Sequence, residues 1–421
     1  MTGEKKPQKP ATANGLKAND CHTLALKLLD WYRVQGRDLP WRVKGGAHEN
    51  AYAVWISEIM LQQTTVKTVI DYFDRWMKRF PTLKSLADAD IHDVLLMWQG
   101  LGYYTRAKKV HECARVLVEK YGGKFPQNRE DLLKLPGIGP YTSSSICAFA
   151  FNKPETVVDG NVIRVIARLY GITNEIDKNE IYDLASTLTP ANHGADYASA
   201  IMDLGATVCT PNNPKCKAAL NPGDTLAFDF VGTQGNKQTA QICDCPWVDE
   251  CIAYRDKLTS VIPLIKKPAK QNRTGILYLI QNKDGAFYIQ KRAGKGLLSG
   301  LYEFPWHYEN EAPLMPQVQD LGIIVTHTFT HFHLILKIVK ASIDSPDVIL
   351  SAALQTQVAN KATNKQGDTE PSSVPTDTAL VSLNGANKCP SAMDGTGVFV
   401  QKQDLKNYAF PTLMKKVFKY L

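Results

Sequence analysis

The chain has 421 residues, enough for two or three domains, and its 44% hydrophobic content can fill their cores. A net charge of +8 suits a polyanionic partner, and equally an ordinary basic soluble protein. No apolar run is long enough to span a membrane, which excludes a helical membrane protein, and no secretion signal is visible.

In chain order, residues 1–19 begin MTGEKKPQKPATANG and read as a disordered basic tail. Residues 20–258 read as mostly helical. Apolar positions recur at helical spacing in HTLALKLLDWY, AVWISEIML and VIRVIARLYG, where Gly171 suits a C-cap. Val54, Glu58 and Leu61 are spaced i, i+4, i+7 and share one face. A carboxylate on an apolar stripe is desolvated, so it can stay protonated near neutrality and act as a general acid. On periodicity alone, an exposed glutamate is the commoner outcome.

The stretch Leu135 to Val162 begins with a glycine hairpin, continues into a small-residue helix and ends with an aspartate before a second helix. Gly137 and Gly139 allow a tight turn with exposed N–H groups, a concavity that suits a phosphate. Asp159 fits a plain N-cap, and equally a catalytic carboxylate held ionised by the helix N-terminus.

Nine cysteines without a secretion signal imply a reducing compartment. Five of them, Cys209, Cys216, Cys243, Cys245 and Cys251, fall in one short region. Residues 259–272 read as a Pro- and Lys-rich linker. Beyond it, GILYLI and AFYIQKR are strand-like and flank the turn signal QNKDG. TFTHFHLILKIV reads as another strand, so residues 273–421 form an α+β domain. A polar stretch at about 345–397 reads as a disordered insertion, and NYAFPTLMKKVFKYL closes the domain after it.

These motifs carry a resemblance. LPGIGPYT followed by VDGNVIRV resembles the helix-hairpin-helix and catalytic-aspartate signature of DNA glycosylases. LPWR (39–42), VWISEIMLQQT (54–64), GLGYYTRAKKV (100–110), MDLGATVC (202–209) and HTFTHFH (327–333) resemble the adenine DNA glycosylase family, MutY. The resemblance covers roughly residues 20–340 and the last fifteen or so. It implies a mostly α helix-hairpin-helix glycosylase domain with an iron–sulfur module, then an α+β MutT/Nudix-like domain.

It also implies roles. Glu58 protonates the leaving adenine, Asp159 stabilises the sugar cation or a transient adduct, Asn161 orients the water, and Tyr141 hydrogen-bonds nearby. Two carboxyl groups of unlike environment are the usual means of breaking a glycosidic bond. Enzymes resembling endonuclease III carry a lysine where this chain has Tyr141, so a monofunctional glycosylase is expected. Base flipping needs residues that part the stack. Gln63 and Tyr103 are the candidates, with helix packing as their ordinary alternative. Arg42 resembles a base-pocket residue, and Gly137 and Gly139 would hold the DNA backbone.

Similar enzymes bind a [4Fe-4S] cluster through four cysteines spaced C-x6-C-x2-C-x5-C. Cys209, Cys216, Cys245 and Cys251 reproduce the outer gaps, but 28 residues (217–244) replace the middle two. Either an insertion at about 218–243 loops out, or the cluster is lost or altered, with zinc as the competing metal. In the second domain Phe329, Thr330 and His331 match a Phe-Ser-His loop that inserts beside the opposite base, 8-oxoguanine. No carboxylate-rich Nudix helix follows GLLSGLYEFPW, so hydrolysis there is not expected. The His327, His331 and His333 set lacks partners for a metal.

The implied activity is removal of adenine paired with 8-oxoguanine or guanine in double-stranded DNA, by a monomer. The alternatives are a pyrimidine-damage glycosylase/lyase and a non-catalytic DNA-binding homologue. A bacterial protein of this kind would be cytoplasmic, a eukaryotic one nuclear or mitochondrial.

Overall fold

The computed structural model describes residues 18–48, 50–216, 245–264, 269–292, 297–311, 313–315, 317–343 and 397–421. Residues 1–17 of the expected N-terminal tail, the 218–243 insertion, Cys243, Cys389 and all but the last residue of the 345–397 insertion lie outside these, whereas Ala18 and Asn19, read as the end of the tail, begin the first helix. Among the described residues, no helix is long and apolar enough to cross a membrane.

The chain forms two compact units, residues 1–88 with 109–267, and residues 89–108 with 268–421. The first unit opens with α1 (Ala18–Gln35), α2 (Ala51–Leu61), α3 (Val66–Arg79) and α4 (Leu83–Ala87). Next come α5 (Ile91–Trp98) and α6 (Thr105–Tyr121). Residues 89–108, all of α5 and the first turn of α6, belong to the second unit. The sequence reading placed them in an unbroken 20–258 domain. The first unit continues with α7 (Arg129–Leu132), α8 (Pro140–Phe151), α9 (Gly160–Leu169), α10 (Lys178–Leu188), α11 (Gly194–Asp203) and α12 (Ile252–Arg255).

Side-chain caps fix where several of these helices start. Asn50, Thr65 and Asp177 each accept a backbone N–H of the first turn of α2, α3 and α10. Gly171 follows α9 with φ +64°, as its sequence position suggested. α2 is not the one-sided stripe its spacing implied, because every residue from Tyr52 to Met60 is buried. Leu28, Val162, Ile166 and Ala200 are fully buried in one core that also takes in Cys209 and Cys245.

The second unit holds a seven-stranded sheet, with strands β1 (Gln271–Gln281), β2 (Phe287–Lys291), β3 (Tyr302–Glu303), β4 (Trp306–Tyr308), β5 (Gln319–Thr328), β6 (Phe332–Ser342) and β7 (Val398–Val400). The central path runs β3-β2-β1-β6-β5, with β4 also on β1 and β7 on β2. β1 pairs β6 in parallel and β2 antiparallel, so the sheet is mixed. The Asp284-Gly285 turn joins β1 to β2, with Gly285 at φ +77°. TFTHFHLILKIV is not one strand. It breaks after Thr328 and resumes at Phe332, leaving Phe329-Thr330-His331 as a hairpin tip. One sheet face packs on Phe410, Leu413, Met414 and Val417 from the closing segment.

Candidate active site

A cavity of about 610 Å³ opens in the first unit, and Arg42, Glu58, Tyr141, Asp159 and Asn161 all line it. That volume suits one small ligand or a flipped base.

Glu58 reaches the cavity from the buried helix α2. Its Oε2 is buried and has no hydrogen-bond partner. Burial pushes its carboxyl up to about 7, against the pull of the Tyr141 and Ser145 hydroxyls and the Arg42 charge. Such a group is half protonated near neutrality. Tyr141 comes from the first turn of α8, just after Pro140 at N1. Burial, then the carboxylates of Glu58 and Asp159, raise its hydroxyl well above the usual range. Tyr141 therefore stays a neutral donor.

Asp159 meets its N-cap reading and also lines the cavity. It is the N-cap of α9, where Oδ1 accepts the N–H groups of Asn161 and Val162 at 2.8 Å each. Its Oδ2 accepts from Nδ2 of Asn161 at 2.8 Å. Three donors thus converge on the Asp159 carboxyl, two of them the N-terminal N–H groups of α9.

Asn161 is itself pinned. Its Oδ1 accepts from Arg164 at 2.9 Å, and Arg164 also donates to the carbonyls of Gly205 (2.6 Å) and Cys209 (2.7 Å). A hydrogen-bonded path therefore runs from the Cys209 carbonyl through Arg164 and Asn161 to Asp159. Gly205 lies in a π-helical turn, Leu204–Val208, pressed against the start of α9. A Cβ there would stand 2.6 Å from Cβ of Asn161, so only glycine fits.

Arg42 is fixed by a residue the sequence reading did not single out. Asp203 is fully buried at the end of α11. Its Oδ1 takes Arg42 at 2.8 Å and Arg37 at 2.6 Å, and its Oδ2 takes the Arg37 N–H at 2.8 Å. Asp203 lies inside the MDLGATVC stretch, so a signal was present. Arg37 had none of its own. Trp41 is buried edge-on against Phe73 and also lines the cavity.

The hairpin glycines sit as their chemistry requires. Gly137 has φ +78°, and a Cβ there would meet the Lys109 side chain at 2.7 Å. Gly139 precedes α8, and space is open around it. Gln63 in this unit is exposed with φ +58°. Tyr103, in the second unit, is 45% exposed with φ +48°. Left-handed backbone is costly for both residues. Arg106 lies over the Tyr103 ring at 5.5 Å.

In the second unit, Phe329 lies between the rings of His327 (4.7 Å) and Phe332 (4.9 Å). Lys270 Nζ donates to the Phe329 carbonyl at 3.0 Å. Thr330 and His331 are exposed at the tip. His333 is engaged with the Thr328 hydroxyl at 2.8 Å.

Cys209 and Cys245 are buried, Cys216 and Cys251 partly so, and all four border the same core. Burial, then the nearness of the other three thiols, pushes the Cys245 thiol up. Arg168 donates to the Cys209 sulfur at 3.3 Å. Among the described residues, no three Cys, His, Asp or Glu side chains close to single-ion distance.

Comparison with known proteins agrees with this geometry. Residues 56–191 match the HhH-GPD superfamily of base excision DNA repair proteins, and residues 276–420 match the NUDIX domain. The adenine DNA glycosylase of Rattus norvegicus is 35% identical over 75% of this chain and 70% of its own length. That of Buchnera aphidicola subsp. Schizaphis graminum is 33% identical over 73% of this chain and 84% of its own. A solved thermostable thymine-DNA glycosylase aligns over 47% of this chain and 92% of its own, with 30% identity and a TM-score of 0.43. With relatives this similar over most of their length, and a two-carboxylate cavity in the matched unit, the chain belongs to the adenine DNA glycosylase family.

Proposed function

We propose that this enzyme removes adenine opposite 8-oxoguanine, and less strongly opposite guanine, without cleaving the strand. The observation that carries the chemistry is one cavity holding two unlike carboxyl groups. Glu58 is buried with its Oε2 unpartnered among the described residues, while both oxygens of Asp159 accept hydrogen bonds at the cap of α9. A flipped adenine would meet Glu58 as the acid that protonates a ring nitrogen. Asp159, bonded by three donors, would face the cationic sugar carbon. Asn161 uses one amide hydrogen on Asp159 and one lone pair on Arg164, so it orients Asp159 and keeps a second hydrogen and lone pair for the attacking water. Tyr141 donates within the pocket and cannot form the Schiff base a lysine would.

For the opposite base, Phe329, Thr330 and His331 form an exposed tip suited to a stack and an edge contact, and Gln63 and Tyr103 are the strained, exposed residues suited to parting the duplex. The open N-terminus of α8 at Gly139 suits a DNA phosphate. A [4Fe-4S] cluster fits the cysteines in chemistry, because four thiols converge in an apolar pocket with Arg168 as counter-charge. Cys209, Cys216, Cys245 and Cys251 would hold it. Bound there, it would cross-link the segments that follow the π-helical turn.

A strand-scission assay on duplex with adenine opposite 8-oxoguanine tests the reading. Wild type should give breaks only after hot alkali, and Asp159→Asn almost none. Breaks without alkali, with borohydride trapping of a covalent adduct, would replace it with the glycosylase/lyase reading. No alkali-labile site at all would end it.

A further inference from the structure

Arg37 and Arg42 both line the catalytic cavity, from the stretch between α1 and α2. Two guanidinium groups are an awkward lining for this chemistry. They favour the ionised form of a nearby acid, and they oppose the positive charge that a departing adenine takes up with its proton. Asp203, at the end of α11, answers both with one carboxylate. Its Oδ1 accepts from Arg37 Nε at 2.9 Å, from Arg37 Nη2 at 2.6 Å and from Arg42 Nη1 at 2.8 Å. Its Oδ2 accepts the Arg37 N–H at 2.8 Å. The carboxylate is fully buried, while the Arg37 and Arg42 side chains keep 28% and 12% of their surface exposed. Asp203 thus stands behind the two arginines rather than in the cavity lining.

We infer that Asp203 is an electrostatic positioning residue: by cancelling one of the two arginine charges beside the cavity, it preserves Glu58 as an acid. The inference rests on the reading of Glu58 as the group that protonates adenine. Two positive charges against one negative leave a single positive charge; without the Asp203 carboxylate both remain. The groups that face Glu58 come from several elements. Tyr141 and Ser145 reach it from α8, Asp159 from the start of α9 and Arg42 from the stretch before α2. Arg37 and His48 also line the cavity. Of the charged groups, Arg42 pulls the Glu58 carboxyl down and Asp159 pushes it up, both against the larger effect of burial. Burial keeps the proton on Glu58 only while no excess positive charge offsets it. The same opposition acts at Tyr32: burial raises its hydroxyl most, Arg42 pulls it down and Asp203 pushes it up. A plain structural cross-tie would behave differently. Its loss would weaken the fold without moving the titration of Glu58.

The test uses the full-length protein and the pH profile of single-turnover adenine excision. The variants are Asp203→Asn, Arg37→Met and the double substitution, each checked for folding by its melting curve. His48 is common to all of them, so differences between profiles report the altered charges. In Asp203→Asn the decline in rate should begin about one pH unit lower than in wild type. Excision at pH 8, relative to the variant's own acid plateau, should then be about ten-fold slower than in wild type. Arg37→Met removes a positive charge, so its decline should move to higher pH. The double variant restores the wild-type sum of charges, and its decline should return to the wild-type position although its packing is the most altered. An unmoved decline in folded Asp203→Asn overturns the inference and leaves Asp203 a structural cross-tie. So does a double variant whose decline stays where Asp203→Asn puts it. If Asp203→Asn does not fold, Arg37→Met decides alone: an upward shift supports the inference and an unmoved decline overturns it. If wild type shows no decline with rising pH, the acid reading of Glu58 fails and this inference with it.

Discussion

The catalytic cavity and the hairpin tip solve opposite problems. Glu58 lies on a helix buried on every side, and its usefulness comes from being dry. Thr330 and Tyr103 stand in solvent, one of them on strained backbone, and their usefulness comes from being reachable. Acid catalysis at neutral pH needs a raised carboxyl, which burial chiefly supplies here, with Asp159 adding to it. Reading a base edge needs an exposed hydroxyl of defined direction, which burial would hide. The two units therefore contrast in how they position polar groups: by exclusion of water in one, by a small number of bonds in the other.

The largest effect that would sharpen this contrast is at the acid. Glu58→Gln should lower adenine excision by about 10²- to 10⁴-fold in single-turnover assays. The same substitution should stabilise the fold at pH 8. The folded carboxyl is pushed up to about 7 from its ordinary 4.5, so the folded state holds a proton that the unfolded state releases. That contribution to stability is complete below pH 4.5 and is lost as pH rises through about 7. Glu58→Gln should then recover about 2–3 kcal/mol at pH 8, read by thermal unfolding at pH 5 and 8. A variant no more stable at pH 8 would mean the carboxyl is not desolvated.

The next effect probes the path behind Asp159. Arg164→Met leaves the Asn161 amide and the Gly205 and Cys209 carbonyls without their donor. Excision should fall about ten-fold and stability by about 2–4 kcal/mol. Equal activity in this variant would show that Asp159 holds its place without help. Wild-type excision should also decline as pH rises through about 7, as Glu58 loses its proton. A rate flat from pH 6 to 9 would break the assignment of Glu58 as acid. The smallest effect belongs to the exposed tip, where Phe329→Ala should weaken binding to the mispaired duplex by about 1–3 kcal/mol.

Much of the catalytic site was legible because local chemistry spells it. Asp159 reads as a cap and is one; Gly137 reads as a tight turn and adopts it; the apolar run around Glu58 does bury it. The misreadings have physical causes. TFTHFHLILKIV looked like one strand because Thr, His and Phe all tolerate extended backbone and no Gly or Pro marks the tip. Asp203 stayed hidden because its partners, Arg37 and Arg42, lie 166 and 161 positions away. The placement of residues 89–108 was likewise illegible, since periodicity reports that a helix exists and not which core it joins.

That placement bears on how the molecule is made. Gln99 is bonded to a carbonyl 311 positions further along the chain. During synthesis, α5 and the loop after it leave the ribosome early and wait for Asn407–Phe410 before they can complete their packing. Loop closure over such a separation is slow. The wedge segment should accordingly be among the last parts to gain protection in a refolding experiment, although it stands in the first quarter of the sequence.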